Sequence, residues 1–125
     1  MLDEARMVNK IVRERRGGFC YELNSSFGWL LRQLGFTVER LSARMNTIVP
    51  DVFGPPFDHL CLRVNRTWLC DVTASYAVGP LELRTTGQQP QRSHGVLFRL
   101  AECVLLANAL PSAKQPRQFL KVCAT

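Results

Sequence analysis

The stretch Arg16-Gly17-Gly18-Phe19-Cys20-Tyr21-Glu22-Leu23-Asn24 decides how the first part of this chain is organised. Two glycines interrupt one helical pattern, and a second, apolar helical pattern begins at the cysteine. Cys20 is therefore predicted to lie in the first turn of a helix, where free N–H groups and the helix dipole stabilise a thiolate. Arg15 and Arg16 add positive charge nearby. A thiol in these surroundings is a candidate nucleophile, although most cysteines are simply small buried side chains.

Helical patterns flank the two glycines. From Leu2 to Arg15 a rough apolar stripe predicts a first helix, which ends at Gly17-Gly18. From Cys20 to Leu34 apolar residues recur at steps of three and four, and Gly35 is a natural C-cap. The apolar positions of this second helix are Leu23, Phe27, Leu30, Leu31 and Leu34.

The pattern then changes to short strands separated by turns. The predicted strands are Phe36–Met45, Leu60–Val64, Trp68–Val72 and Val96–Leu100, and the predicted loops include Asn46–Pro56 and Thr85–Ser93. The fold class is therefore α+β. Residues 1–35 form a partial helical bundle that carries Cys20, and residues 36–100 form a small antiparallel sheet or incomplete barrel.

Two of the strands supply the partners that a cysteine nucleophile needs. His59 begins one apolar run, and Asp71 follows Trp68-Leu69-Cys70 in the next. A histidine can accept the thiol proton, and a carboxylate can hold the imidazole in one tautomer. The residues therefore predict a Cys20–His59–Asp71 triad, in an arrangement like that of cysteine proteases.

The loop between these strands decides whether the triad can form. A two-residue loop at Asn65-Arg66 would place His59 and Asp71 on opposite faces of the sheet. A three-residue loop, Asn65-Arg66-Thr67, would pair Asp71 with Cys61 and leave it diagonal to His59 on the same face. The triad therefore predicts an odd-membered loop or a bulge.

In these residues the chain resembles the arylamine N-acetyltransferase family, which carries an R-G-G-x-C motif and then a histidine and an aspartate on neighbouring strands. The resemblance extends from Ile11 to Leu100. It includes the shorter segments Leu34-Gly35-Phe36, Asp71-Val72, Pro80-Leu81-Glu82-Leu83, Gln89-Pro90-Gln91 and Leu97-Phe98-Arg99-Leu100.

The resemblance implies ping-pong acetyl transfer from acetyl coenzyme A to arylamines or arylhydrazines, as part of xenobiotic metabolism. Cys20 would carry the acetyl group, His59 would act as the base and Asp71 would hold the ring. Phe19 would line the substrate-binding pocket, although an aromatic residue there also suits a hydrophobic staple. The expected partners are the small-molecule arylamine and acetyl coenzyme A, with no metal, nucleic acid or membrane; the oligomeric state is left open.

Three departures from the family are visible. Thr73-Ala74-Ser75-Tyr76 replaces the Gly-Phe-Gly-like segment that usually follows the aspartate. The chain has 125 residues, less than half the usual length, and residues 101–125 form a divergent tail unlike the family. A truncated member is expected, and a catalytically inactive relative is one alternative. A transglutaminase-like or papain-like cysteine enzyme is another, less well supported by the R-G-G-F-C motif.

Composition restricts the remaining possibilities. A net charge of +6 could suit nucleic acid, but the basic residues are scattered and the one dense run, Arg13–Arg16, sits at a helix end. Five cysteines without paired C-x-x-C spacing argue against a disulfide framework and a structural zinc site, and predict a reducing, cytoplasmic location. Cys61, Cys70, Cys103 and Cys123 are expected to be core or incidental residues.

Overall fold

In the described part of the chain a 14-residue helix packs on a seven-stranded sheet and a shorter helix packs on that helix, so the α+β class is confirmed. The structure, a computed structural model, describes residues 3–45, 49, 52–73, 79–83, 91–93, 96–102 and 118–123. The helices are α1 (Glu4–Val8), a π-helical turn (Asn9–Arg13) and α2 (Cys20–Gln33). The strands are β1 (Val38–Met45), β2 (His59–Val64), β3 (Trp68–Cys70), β4 (Leu81–Glu82), β5 (Gln91–Ser93), β6 (Val96–Glu102) and β7 (Gln118–Cys123).

The first helix is shorter than the sequence predicts. Its regular part ends at Val8, the π-helical turn follows, and Arg15 has a φ of 51°, which is outside the helical region. The chain therefore leaves the helix before it reaches the two glycines. The second helix begins at Cys20, as predicted, and Gly35 follows it with a φ of 90°, which favours glycine.

The strand order is β4-β3-β2-β1-β7-β6-β5. β1 pairs antiparallel with β2 on one side and with β7 on the other, whereas β6 and β7 run parallel. The sheet is therefore mixed, which corrects the prediction of a purely antiparallel one. The outer strands β4 and β5 approach each other, so the sheet curls; closure as an incomplete barrel stays a prediction.

Two segments predicted to be loop or tail contribute strands. Gln91–Ser93 was expected in a polar loop, but it pairs with β6 across residues 94–95. Strand pairing uses backbone groups, so polar side chains at a sheet edge do not prevent it. Gln118–Cys123 lies in the predicted tail and pairs with the central strand β1. The three-part division of the chain itself stays a prediction.

The most buried positions of α2 carry small or polar residues, while the apolar residues Leu23, Phe27 and Leu31 are half-buried. Its buried residues are Asn24, Ser25, Ser26 and Gly28, whereas Leu30 and Leu34 are 46% and 65% exposed. A Cβ on Gly28 would lie 3.3 Å from a Leu62 methyl group, so the small residue allows α2 to lie close to β2. This close approach brings the start of α2 to the His59 end of the sheet. The hydrophobic core cluster lies on the first four strands of the sheet and comprises Leu41, Ala43, Cys61, Leu69 and Leu81.

Candidate active site

Cys20 occupies the first position of α2. Phe19 precedes the helix in an extended conformation and provides no side-chain cap, while its carbonyl oxygen accepts hydrogen bonds from the N–H groups of Glu22 and Leu23, both at 3.0 Å. The half-buried Cys20 sulfur lies 4.0 Å from the carbonyl oxygen of Asp58. Asp58 directly precedes His59, so the thiol lies beside the start of β2.

Glu22 braces the turn that leads into α2. Its Oε1 forms an ion pair with Lys10 at 2.7 Å, and its Oε2 accepts a hydrogen bond from the Phe19 N–H at 3.3 Å. The hydrogen bond from Lys10 is the main reason why the pKa of Glu22 is lowered. A Cβ on Gly18 would lie 2.8 Å from Glu22 Oε2 and 3.0 Å from Glu22 Cβ, so glycine permits this close approach.

The loop between β2 and β3 has the odd length that the triad requires. Val64 pairs with Trp68 and Leu62 with Cys70, so three residues connect the strands. Asn65 and Arg66 have φ values of 49° and 59°, as in a type I′ turn, and Thr67 is the additional residue. This register places Cys61 opposite Asp71 and confirms the parity expected from the sequence.

His59 and Asp71 form a direct hydrogen-bonded pair. His59 Nε2 lies 2.5 Å from Asp71 Oδ2, and the two side chains are 4% and 10% exposed. Burial raises the pKa of Asp71, but hydrogen bonds from His59, Asn24 and Thr73 outweigh it and lower the pKa to about 2. The carboxylate is therefore ionised at neutral pH, which suits it to hold the ring and stabilise an imidazolium.

Two residues that were given no role from the sequence complete this pair. Asp71 Oδ1 accepts hydrogen bonds from Asn24 Nδ2 at 2.9 Å, from Thr73 N–H at 3.0 Å and from Thr73 Oγ1 at 2.6 Å. Asn24 was visible as a polar residue one helical turn after Cys20, inside an otherwise apolar pattern. Thr73 lies two positions after the predicted acid, Asp71, in the sequence.

Two aromatic residues, Phe19 and Tyr21, flank Cys20 in the sequence. Phe19, 60% exposed, lies against Tyr21 with ring centroids 5.9 Å apart. The Tyr21 hydroxyl donates a hydrogen bond to the carbonyl of Phe57, which is itself 61% exposed. Burial is the main reason why the pKa of Tyr21 is raised. Phe19 is thus open beside the candidate nucleophile; its role as a substrate-binding residue stays a prediction.

The other described cysteines lie in different surroundings. Cys61 is fully buried, its sulfur lies 3.8 Å from the Leu41 carbonyl oxygen, and burial raises its pKa far above the usual value. Burial also raises the pKa of Cys70. Cys103 lies outside the described residues. In the described part of the chain no cluster of three His, Cys, Asp or Glu side chains could hold a metal, and no described helix is long and apolar enough to span a membrane.

Comparison with known proteins finds N-acetyltransferases both by sequence profile and among individual relatives. The sequence profile of an N-acetyltransferase family matches residues 1–115 and therefore extends into the predicted tail. An arylamine N-acetyltransferase of Gallus gallus, a pineal gland isozyme, is 35% identical over 107 residues, which cover 81% of this chain and 36% of that protein. This chain thus spans about a third of the length of such curated relatives.

Solved structures of arylamine N-acetyltransferases are also similar. The enzyme from Salmonella typhimurium superposes with a TM-score of 0.63 at 34% identity, covering 74% of this chain and 35% of that one. The enzyme from Mycobacterium marinum in complex with CoA has a TM-score of 0.59 at 29% identity, covering 78% of this chain and 42% of that one.

Proposed function

Because the chain belongs to the arylamine N-acetyltransferase family, we propose that it transfers an acetyl group from acetyl coenzyme A to arylamines through an acetyl-Cys20 intermediate. The observation that carries the proposal is the buried His59–Asp71 hydrogen bond beside the first turn of α2. A relative in this family has been solved with bound CoA, which supports the choice of acyl donor.

Each group in the site has a defined step in this proposal. His59 takes the proton of the Cys20 thiol, and the sulfur attacks the thioester carbonyl of the donor. The bond between the acetyl carbon and the coenzyme sulfur then breaks, and the proton passes from His59 to the departing thiolate. In the second half-reaction His59 accepts a proton from the arylamine as its nitrogen attacks the acetyl-Cys20 carbonyl. The amide forms, and Cys20 leaves as the thiolate.

Asp71 and Phe19 have supporting roles in the proposed reaction. The ionised carboxylate at Nε2 leaves the other ring nitrogen of His59 free for the proton transfer and stabilises the imidazolium that forms. Phe19 offers an exposed ring for stacking against an aromatic amine beside the sulfur. Expected acceptors are therefore arylamines and arylhydrazines rather than aliphatic amines.

Intact-mass measurement after incubation with acetyl coenzyme A, or with p-nitrophenyl acetate as a smaller donor, tests the proposal. We expect one added acetyl group, assigned by peptide mapping to Cys20 and removed on addition of an arylamine. Cys20→Ser abolishes the adduct, whereas Cys70→Ser serves as the matched control and leaves it unchanged. No adduct with either donor, or acetylation spread over several cysteines, would contradict the proposed function.

A further inference from the structure

Asn24 is fully buried, yet every polar atom of its carboxamide has a partner at the site. Nδ2 donates to the Leu60 carbonyl oxygen at 2.7 Å and to Asp71 Oδ1 at 2.9 Å. Oδ1 accepts a hydrogen bond from the Val72 N–H at 3.0 Å. One side chain on α2 thus contacts the residue after His59, the candidate acid itself and the residue after that acid.

We propose that Asn24 is a positioning residue that couples the helix carrying Cys20 to the His59–Asp71 pair. Asn24 lies one helical turn after Cys20, so both side chains project from the same face of α2. Its bond to the β2 backbone fixes the separation of helix and sheet, and its bond to Asp71 Oδ1 orients the carboxylate so that Oδ2 faces the ring. This inference rests on the proposed function, because alignment matters only if Cys20 reacts.

The next two residues of α2 show that burial in this helix does not itself require a polar partner. Ser25 and Ser26 are also buried, but in the described part of the chain their hydroxyl oxygens have no hydrogen-bond partner. A buried carboxamide costs considerable desolvation free energy unless it is fully hydrogen-bonded. All of the compensating bonds of Asn24 go to the site, which argues that its identity serves the site rather than helix packing.

Thr73 provides the contrast needed for a test. Its hydroxyl also donates to Asp71 Oδ1, and its only bond to α2 is a longer one, 3.4 Å, accepted from Asn24 Nδ2. Thr73→Val therefore removes one donor from the carboxylate and this longer contact, but keeps the shorter bonds of Asn24 to Leu60, Asp71 and Val72. Asn24→Leu removes a donor to the carboxylate and every one of these links between α2 and the site. Ser25→Ala changes the next buried residue of α2 and touches neither, so it is the matched control.

Two measurements on the same variants test the coupling. The first is the ¹⁵N and ¹H NMR signal of the His59 ring, which reports whether Nε2 carries a proton bonded to Asp71. The second is the rate of iodoacetamide labelling of Cys20 at pH 6, determined by peptide mapping. In Asn24→Leu we expect loss of the single Nε2–H tautomer and labelling about tenfold slower or more. Thr73→Val should slow labelling by less than about threefold, and Ser25→Ala should match the wild type.

Asn24→Asp keeps the shape and the acceptor for Val72 but opposes one carboxylate with another. At pH 7 it should resemble Asn24→Leu, and the His59 signal should recover at lower pH, when a proton shared between the two carboxyl groups restores the donor. If Asn24→Leu does not fold, the coupling is tested with Asn24→Asp and with hydrogen exchange of the Asn24 side-chain amide in the wild-type protein. The amide protons should exchange slowly and shift when Asp71→Asn is introduced.

The outcomes separate this inference from the proposed function. A folded Asn24→Leu or Asn24→Asp with unchanged His59 signals and labelling overturns the coupling, as does rapid exchange of the Asn24 amide. Equal effects of Thr73→Val and Asn24→Leu also overturn it, because the helix link would then be irrelevant. If Asn24 controls both readouts but no acetyl adduct forms, the positioning role stands and acetyl transfer fails. If the adduct forms equally well in all variants, acetyl transfer stands and the positioning role fails.

Discussion

At the scale of single residues, the Asp71 carboxylate couples the site to stability. Burial opposes its ionisation, but hydrogen bonds from His59, Asn24 and Thr73 outweigh burial and lower its pKa from the usual 3.8 to about 2. The folded state therefore keeps this group ionised at a pH where the unfolded chain binds a proton. The resulting stabilisation, about 2 kcal/mol, is fully present above about pH 4 and is lost as the pH falls towards 2.

We therefore predict a specific loss of stability in acid. Urea unfolding of the wild-type protein between pH 5 and 2 should show a steeper decline in the free energy of unfolding than that of Asp71→Asn, in which other carboxylates such as Glu22 still contribute. Thr73→Val removes one donor to the carboxylate and should show a smaller decline than the wild type. Parallel curves for the wild type and Asp71→Asn would mean that Asp71 has the same proton affinity in the folded and unfolded states.

The pairing of His59 with Asp71 could be predicted from the sequence, but the residues that support it could not. Cys20, His59 and Asp71 follow from a motif and from side-chain parity, both of which are local properties of the chain. Two partners of Asn24, Leu60 and Asp71, lie 36 and 47 positions further along the sequence, so only the folded arrangement reveals them. A polar residue in an apolar helical pattern was the one available signal.

At the scale of elements, the turn between the π-helical segment and α2 depends on one of its two glycines. A Cβ on Gly18 would lie 3.0 Å from Glu22 Cβ and 3.1 Å from Ile11 Cδ1, whereas a Cβ on Gly17 would meet no atom within 4 Å. Substitution at Gly18 must therefore displace Glu22, which bonds the Phe19 N–H and Lys10.

We predict that Gly18→Ala destabilises the protein by about 1–2 kcal/mol and also slows labelling of Cys20, because α2 no longer starts in the same place. Gly17→Ala is the matched control and should be neutral or slightly stabilising, since the unfolded chain loses entropy. Urea unfolding and peptide-mapped labelling check both variants. Equal effects at the two glycines would show that the turn tolerates displacement of Glu22.

Predictability differs between elements for physical reasons. The start of α2 and the β2–β3 hairpin follow from local turn chemistry and hydrophobic periodicity. The position of β7 does not, because Gln118–Cys123 pairs with β1, which is distant in the sequence, and such pairing has no local signature. The apolar stripe of α2 is only partly buried: Leu30 and Leu34 are largely exposed, whereas Leu23, Phe27 and Leu31 are half-buried.

At the scale of the whole molecule, an aligned site does not by itself ensure turnover. The His59–Asp71 pair and the start of α2 lie within the described residues, and their hydrogen bonds involve α2, β2 and the segment after β3. Large apolar side chains nevertheless stay exposed on the described surface: Val12, Phe19, Leu30, Leu34, Phe36 and Phe57. Such side chains favour self-association of the isolated 125-residue polypeptide.

The last prediction follows from this distinction: the 125-residue polypeptide should form acetyl-Cys20 yet turn over arylamine slowly. Acetylation by a small donor requires the aligned thiol and base, whereas turnover also requires that donor and acceptor be held in reactive positions, which commonly contributes several kcal/mol. The chain spans about a third of the length of its curated relatives. We expect arylamine turnover at least about a hundredfold below that of a full-length relative. The assay follows coenzyme A release on a fraction shown by light scattering to be monodisperse; comparable turnover would establish that this short chain suffices for the whole reaction.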